Sequence, residues 1–247
     1  MPPRTPRPGA RRKGRSSLVI AIDGPAGSGK STVAKGTARA LGLRRLDTGA
    51  MYRALTKAAL DQAIDPRDDR ALATLARKTS FEHQGDRILV DGRPVGRAIR
   101  TPEVSGAVST VSAHSAVRRE LVRRQRELIG KGGVVVEGRD IGTVVCPNAD
   151  LKVFLVASAG ERARRRHKEL TAKGIPVSFE RLKKELLRRD RLDTRRPVSP
   201  LVPASDAVVI DSTEKSPRQV VAEIVRLAGH KPVRPVTGRK NAAARTR

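Results

Sequence analysis

The amino-acid sequence predicts an α/β fold built on a doubly wound parallel sheet, and three observations carry that prediction. An apolar run, Leu18 to Ile22, ends in a glycine-rich turn that opens a helical pattern. Two further short apolar runs, Val134 to Val136 and Leu151 to Val156, have the continuous character of parallel strands covered on both faces. Helical patterns alternate with such strands along the chain, which places ligands at the C-terminal edge of the sheet.

Each element has its own justification. Ser31 to Leu41 consists of helix formers and stops at Gly42, a good C-cap. Arg44 to Leu46 reads as a short strand, and Ala50 to Ala63 is helical again. Pro66 and the acids around it start a helix over 68–77. Between Phe81 and Ile99 the character changes: Arg87 to Val90 is strand-like, Asp91-Gly92 is a hairpin signal and Arg93 to Val95 returns, so a small β insert is expected. Thr101-Pro102-Glu103 opens an interrupted helical stretch that closes at Gly130 to Gly133. Two basic helices, 160–173 and 178–191, flank Gly174-Ile175-Pro176; a last strand, Ala207 to Ile210, and an amphipathic helix, Pro217 to Ala228, complete the pattern.

Composition bounds the function. With 247 residues and 38% hydrophobic content, one sizeable domain with inserts has enough apolar material for a core. There is no Trp, one Tyr and three Phe, so the core rests on Leu, Val, Ile and Ala, and the scarcity argues against a stacking platform for single-stranded nucleic acid. The lone Cys146 rules out an internal disulfide framework, and a reducing cytoplasm is the expected compartment; it reads as a small buried residue after a strand rather than a nucleophile. No run approaches the roughly eighteen apolar residues of a membrane span, and no apolar stretch follows the basic N-terminus as a secretory signal requires. Net charge is +27, but residues 1–15 and 230–247 each hold six Lys or Arg and no acid, which leaves +15 on the body. The tails, 1–17 and 230–247, are expected to be disordered and to touch nucleic acid only incidentally.

Four segments carry chemistry. In Gly24-Pro25-Ala26-Gly27-Ser28-Gly29-Lys30-Ser31-Thr32 the spacing G-x-x-x-x-G-K-[ST] is met by Gly24 and Gly29-Lys30-Ser31. Backbone N–H groups and a helix dipole would cradle the phosphates of a nucleoside triphosphate such as ATP, with Lys30 on the outer phosphates and the Ser31 hydroxyl on Mg2+. Asp47 and Thr48 precede Gly49 and a helix, which suits a plain N-cap equally well, but Arg53 stands one turn further in, beside the phosphate loop. Glu137 ends a strand, where an acid can orient the water shell of Mg2+, and Arg139-Asp140 offers a phosphate fork next to a carboxylate that could accept from an exocyclic amino group; a turn with a local ion pair is the plainer alternative. The arginine-dense runs 161–166 and 188–196 read as solvated helix faces or as a mobile lid whose arginines close over a triphosphate.

Taken together, GPAGSGKST (24–32), DTGAMYR (47–53), IRTPEVS (99–105), VRRELVRRQR (117–126), EGRDIGTVVCP (137–147), ERARRR (161–166) and RRDRLDTRRPVSPL (188–201) resemble the bacterial cytidylate kinases, a family of nucleoside monophosphate kinases. The resemblance covers about 18–229 and implies a P-loop NTPase core over that range, with a monophosphate-binding insert containing a small β-sheet at about 64–130 and an arginine-rich lid at about 160–197. It implies transfer of the γ-phosphoryl group of ATP to CMP or dCMP by a monomer. Thr48, Arg53, Arg139 and Arg196 would then bind the acceptor phosphate, Ser109, Arg118 and Asp140 would read cytosine, Arg189 and Asp193 would meet the sugar, and Arg162, Arg165 and Arg166 would meet the ATP phosphates. Lys30, Arg139, Arg165 and Arg196 are the expected catalytic set. Thr48 stands where Ser also occurs and Glu137 where Asp also occurs, both keeping the functional group. The four histidines, His83, His114, His167 and His230, match no family role.

Two rivals are tested by residues. A kinase of the same loop class for UMP, shikimate or gluconate is disfavoured by Asp140, because a carboxylate suits the amino group of cytosine and opposes O4 of uracil. An RNA-binding GTPase switch would need an N-K-x-D motif after a strand, and the sequence has none.

Overall fold

Five parallel strands, in the spatial order β2 (Arg44–Asp47), β6 (Val134–Glu137), β1 (Val19–Asp23), β7 (Leu151–Val156) and β8 (Val208–Asp211), form the central sheet, with the strand that runs into the phosphate loop in the middle. The structure is a computed structural model that describes residues 17–230 except 85, 86 and 173. Apart from Ser17 and His230, the two basic tails lie outside the described residues.

Alternation along β1 explains the two-sided core. Ile20 and Ile22 pack with Val135, Leu151, Val153 and Leu155 beneath α1 (Lys30–Leu41) and α8 (Pro217–His230). Ala21 faces the other way, with Val134 and Val136, into a larger cluster formed by α2 (Thr48–Asp61), α3 (Asp69–Lys78), α4 (Pro102–Val111) and α5 (Ser115–Ile129). A strand covered on both faces has no polar side to show, so Val134-Val135-Val136 is apolar without interruption.

The second sheet is the expected β insert, with one more strand than the sequence reading assigned: β3 (Phe81–Gln84), β4 (Arg87–Val90) and β5 (Arg93–Pro94) pair antiparallel in that order. The interrupted stretch after Thr101 is two helices. Thr101 caps α4 by accepting from Val104 N at 3.3 Å, with Pro102 in the first turn where its missing N–H costs nothing. Two basic helices, α6 (Ala159–Thr171) and α7 (Phe179–Thr194), begin at Ser158 and Ser178, whose side chains cap them. They meet the phosphate loop through a small apolar contact of Ala26, Ala163 and Leu186.

A π-helical turn, Ile141–Val145, follows β6 and was not foreseen. Cys146 therefore follows this turn rather than a strand, is half-buried, and has its thiol pushed up to about 11 by burial.

Candidate active site

The loop from Gly24 to Thr32 leaves the C-terminal end of β1 in a conformation that its residues dictate. Gly24 has φ +144°, and a Cβ there would lie 2.1 Å from the Leu155 carbonyl oxygen, so no other residue fits. Ala26 to Thr32 line a cleft of about 730 Å³. Gly24 and Pro25 sit behind it and present carbonyls to cations: Arg139 Nη1 donates to Gly24 O at 3.1 Å and Lys30 Nζ to Pro25 O at 2.6 Å. Burial, and then the Arg139 charge, hold Lys30 well below its usual pKa, against the opposing pull of Glu137, Asp23 and Asp193. A phosphate beside it would oppose that lowering.

Glu137 ends β6 directly across from the start of α1. Ser31 Oγ donates to its Oε2 at 2.7 Å and Arg45 Nη1 to its Oε1 at 3.3 Å. Burial, followed by the neighbouring Asp47 charge, raises Glu137 to about 7 despite these donors. A buried carboxylate beside a hydroxyl is an oxygen-only donor pair, which fits a hard divalent cation that completes its shell with water and phosphate. Among the described residues no group of three or more His, Cys, Asp and Glu side chains is arranged to hold a metal ion.

Across the cleft the helix α2 begins. Asp47 is its N-cap, accepting from Ala50 N at 3.0 Å, which settles one of the two sequence alternatives; it also pairs with Arg100 at 3.2 Å. Thr48 is different: its hydroxyl donates to Glu137 O at 2.7 Å at the cleft wall. Arg53, one turn on, donates to Ser105 Oγ on α4 at 2.9 Å. Burial, then Arg189, Arg100, Arg166 and Arg139, lower Arg53 to about 9. Arg189 is also lowered by burial and then by Arg139, and Arg196 by burial and then by Arg118. The Nε of Arg189 and of Arg196 is buried with no hydrogen-bond partner. These arginines line the cleft, and a set of half-dehydrated cations, each lowered by burial and by a neighbouring guanidinium, is a site short of an anion.

Further along the wall stand Ser109, Ser112, Tyr52, Arg118 and Asp140. Arg118 and Asp140 form a buried ion pair, Arg118 Nη1 also donates to Ser112 O at 3.2 Å, and the guanidinium sits 5.3 Å over the Tyr52 ring. Asp193, on α7, accepts from Arg139 Nε at 2.9 Å; against the pull of burial, Arg139, Arg196 and Arg189 hold its carboxyl below the usual range.

Most residues singled out from the sequence thus line one cleft. Arg162 does not. It is 5% exposed, and its guanidinium donates to Ala26 O and Ala157 O and pairs with Asp190. Arg165 and Arg166 do reach the cleft: Arg165 donates to Ser28 O at 3.3 Å and Ser212 Oγ at 3.1 Å, and Arg166 pairs with Glu169.

Sequence reading missed Asp23, Arg45, Tyr52, Arg100 and Asp190. Asp23 stands immediately before the loop, buried, and accepts from Ile141 N at 2.8 Å and Gly142 N at 2.7 Å, so it holds the π-helical turn behind Asp140. Its position next to Gly24 was the one available signal; Tyr52 was visible as the only tyrosine, inside a quoted motif.

Comparison with known proteins adds the following. The sequence model of one family, described as cytidylate kinase, matches residues 20–230. A cytidylate kinase of a Geobacillus species is 50% identical over 221 residues, 88% of this chain and 99% of that protein. The cytidylate kinase of Bacillus subtilis is 49% identical over 87% of this chain and 97% of its own length. Among solved structures, the shikimate kinase of Acinetobacter baumannii aligns at 17% identity and TM-score 0.42 over 86% of this chain and 93% of that one.

Proposed function

The chain belongs to the cytidylate kinase family, and from that membership we propose that it transfers the γ-phosphoryl group of ATP to CMP or dCMP, giving ADP and CDP or dCDP. The observation that carries the reading from the geometry is the group of partly dehydrated arginines, Arg53, Arg189 and Arg196, each lowered by burial and by a neighbouring arginine, facing the phosphate loop across one cleft. One side takes a triphosphate and the other a second phosphate.

The attacking group is a phosphate oxyanion, so no strong general base is needed and catalysis is positioning plus charge neutralisation. On the donor side, backbone N–H groups of 27–32 and the N-terminus of α1 hold the ATP phosphates, and Lys30 exchanges Pro25 O for a phosphate oxygen. Ser31, with Glu137 through water, would hold Mg2+, which when bound would supply neutralisation of phosphate charge. Arg165 and Arg166 complete the donor side from the lid helices. On the acceptor side, Arg53, Arg139, Arg196 and Thr48 at the start of α2 fix the monophosphate, while Arg189 and Asp193 meet the sugar. Arg139, which contacts both the Gly24 carbonyl and Asp193, would bridge donor and acceptor phosphates. Ser109, Arg118 and Asp140 read the base, the Asp140 carboxylate accepting from the amino group of cytosine.

Pyrimidine nucleotide metabolism in the cytoplasm is the corresponding setting; no described helix is long and apolar enough to cross a membrane. The deciding assay measures ADP release with ATP, Mg2+ and each nucleoside monophosphate in turn. CMP and dCMP are expected to be the best acceptors; preference for UMP, or for shikimate or gluconate offered in parallel, would overturn the reading.

A further inference from the structure

Three consecutive carbonyls of the phosphate loop each accept from a different cation: Gly24 O from Arg139 at 3.1 Å, Pro25 O from Lys30 at 2.6 Å and Ala26 O from Arg162 at 3.0 Å. In a trans peptide the N–H points opposite to the carbonyl, so fixing the Pro25 and Ala26 carbonyls also fixes the N–H groups of Ala26 and Gly27 for a phosphate cradle, whereas the peptide after Gly24 ends on Pro25 and carries no N–H. The three cations differ in what else they can do. Lys30 and Arg139 line the cleft, and phosphates entering it compete for them. Arg162 is outside the cleft and buried, and its remaining donors are committed: Nε to Ala157 O at 3.1 Å and Nη2 to Asp190 at 2.7 Å.

We propose that Arg162, anchored by Asp190, is a positioning residue that braces the phosphate loop and is not itself a ligand of the ATP phosphates. The proposal rests on the reading that the loop holds ATP. Its neighbours fit the role: a Cβ on Gly27 would lie 3.1 Å from Arg162 Cβ and 3.2 Å from Arg162 O, so α6 sits directly on the loop and the brace is short. Asp190 and Asp193 are three residues apart on α7 and so share a face. Asp190 holds the cation of Ala26 O and Asp193 holds the cation of Gly24 O, so one turn of α7 governs both flanking carbonyls. When an acceptor occupies Arg139 and ATP occupies Lys30, the Arg162 contact is the one of the three that stays.

The discriminating variant is Asp190→Asn, which removes the anchoring charge and leaves Arg162 in place. If Arg162 were a phosphate ligand held back by Asp190, releasing it would leave KM for ATP unchanged or lower it. A brace predicts the reverse: KM for ATP rises about tenfold, the size expected for a lost charge-assisted hydrogen bond, and KM for CMP stays within about twofold. Wild-type protein assayed alongside tests the kinase reading separately, because a wild type without CMP phosphorylation fails before any variant is compared. A double-mutant cycle with Arg162→Met gives a second readout: the double variant should lose no more ATP affinity than Arg162→Met alone, whereas additive losses would show independent roles. An unchanged or lowered KM for ATP in Asp190→Asn, or equal rises for both substrates accompanied by a matching fall in melting temperature, overturns the proposal.

Discussion

The donor and acceptor halves of the cleft are built on opposite principles. The donor half is dominated by one loop, Ala26 to Thr32, whose proposed binding groups are backbone N–H donors fixed by the turn and the start of α1, with the Lys30 side chain among them. The acceptor half gathers side chains from α2, α4, α5, the segment after β6 and α7, and holds them by pairing them with one another: Arg118 with Asp140, Arg139 with Asp193, Arg53 with Ser105. Backbone donors cost nothing to keep ready, whereas buried ion pairs must be kept complete or the remaining partner is left charged and dehydrated. Breaking a base-reading pair of the acceptor half should therefore damage folding and selectivity together, and substitution in the donor half should damage rate while sparing the fold.

The most demanding test of that contrast is Asp140→Ala. It strands Arg118, which is 2% exposed, so a stability loss of about 3–5 kcal/mol is expected in denaturant unfolding. The same variant should lower kcat/KM for CMP much more than for UMP. Taking the CMP to UMP ratio on one sample cancels the folded fraction, so selectivity is read apart from stability. Arg139→Ala supplies the control, because a phosphate contact carries no base information and both substrates should fall alike. An intact ratio in Asp140→Ala would remove Asp140 from base recognition.

Lys30→Ala tests the other half. On the proposed reaction its charge would follow the phosphoryl group as it moves, and a single electrostatic contact of this kind is worth about 3–4 kcal/mol in the transition state. Since burial already depresses the Lys30 pKa, deleting the cation relieves a dehydrated charge, and the melting temperature should hold or rise. A loss of turnover smaller than about tenfold would show that Lys30 does not stabilise the transferring group; a collapse in melting temperature would break the contrast between the halves.

The same contrast explains what could be read in the sequence. The parallel sheet was legible because strands buried on both faces are continuous apolar runs, and the loop because its function needs glycines and a lysine at fixed local spacing. The arginines of 161–166 could be seen as a group but not told apart: nothing local distinguishes Arg165, which faces the cleft, from Arg162, which turns into the contact between α6 and the loop. The π-helical turn after β6 has no spacing of its own. It exists where Asp23, 118 residues away from Ile141, supplies a carboxylate for two of its N–H groups. Tertiary partners at such separations leave no periodic trace in either segment.

Asp23 joins the two halves, ending β1 ahead of the phosphate loop while fixing the turn that carries Asp140, and its titration gives the subtlest test of the contrast. Burial raises its carboxyl from 3.8 to about 6, outweighing the two backbone donors and the Lys30 charge. Between about pH 4 and pH 6 the folded protein therefore keeps a proton that the unfolded chain has released, and by linkage the Asp23 contribution makes stability fall as pH rises through that window. Below it both states are protonated and the contribution levels off; above it both are ionised and the penalty is carried in full. Asp23→Asn cannot ionise, so its stability measured in denaturant at pH 4.5, 5.5 and 7 should fall less over this range than that of the wild type. Near pH 7 the net change should be small, since relief of the buried charge is opposed by one backbone N–H losing its acceptor, a loss of about 1–3 kcal/mol. Because the weakened contact lies behind Asp140, KM for CMP should rise more than KM for ATP. Parallel pH profiles in variant and wild type would show that Asp23 is not the titrating group, and equal changes in the two KM values would show that the turn is not its point of action.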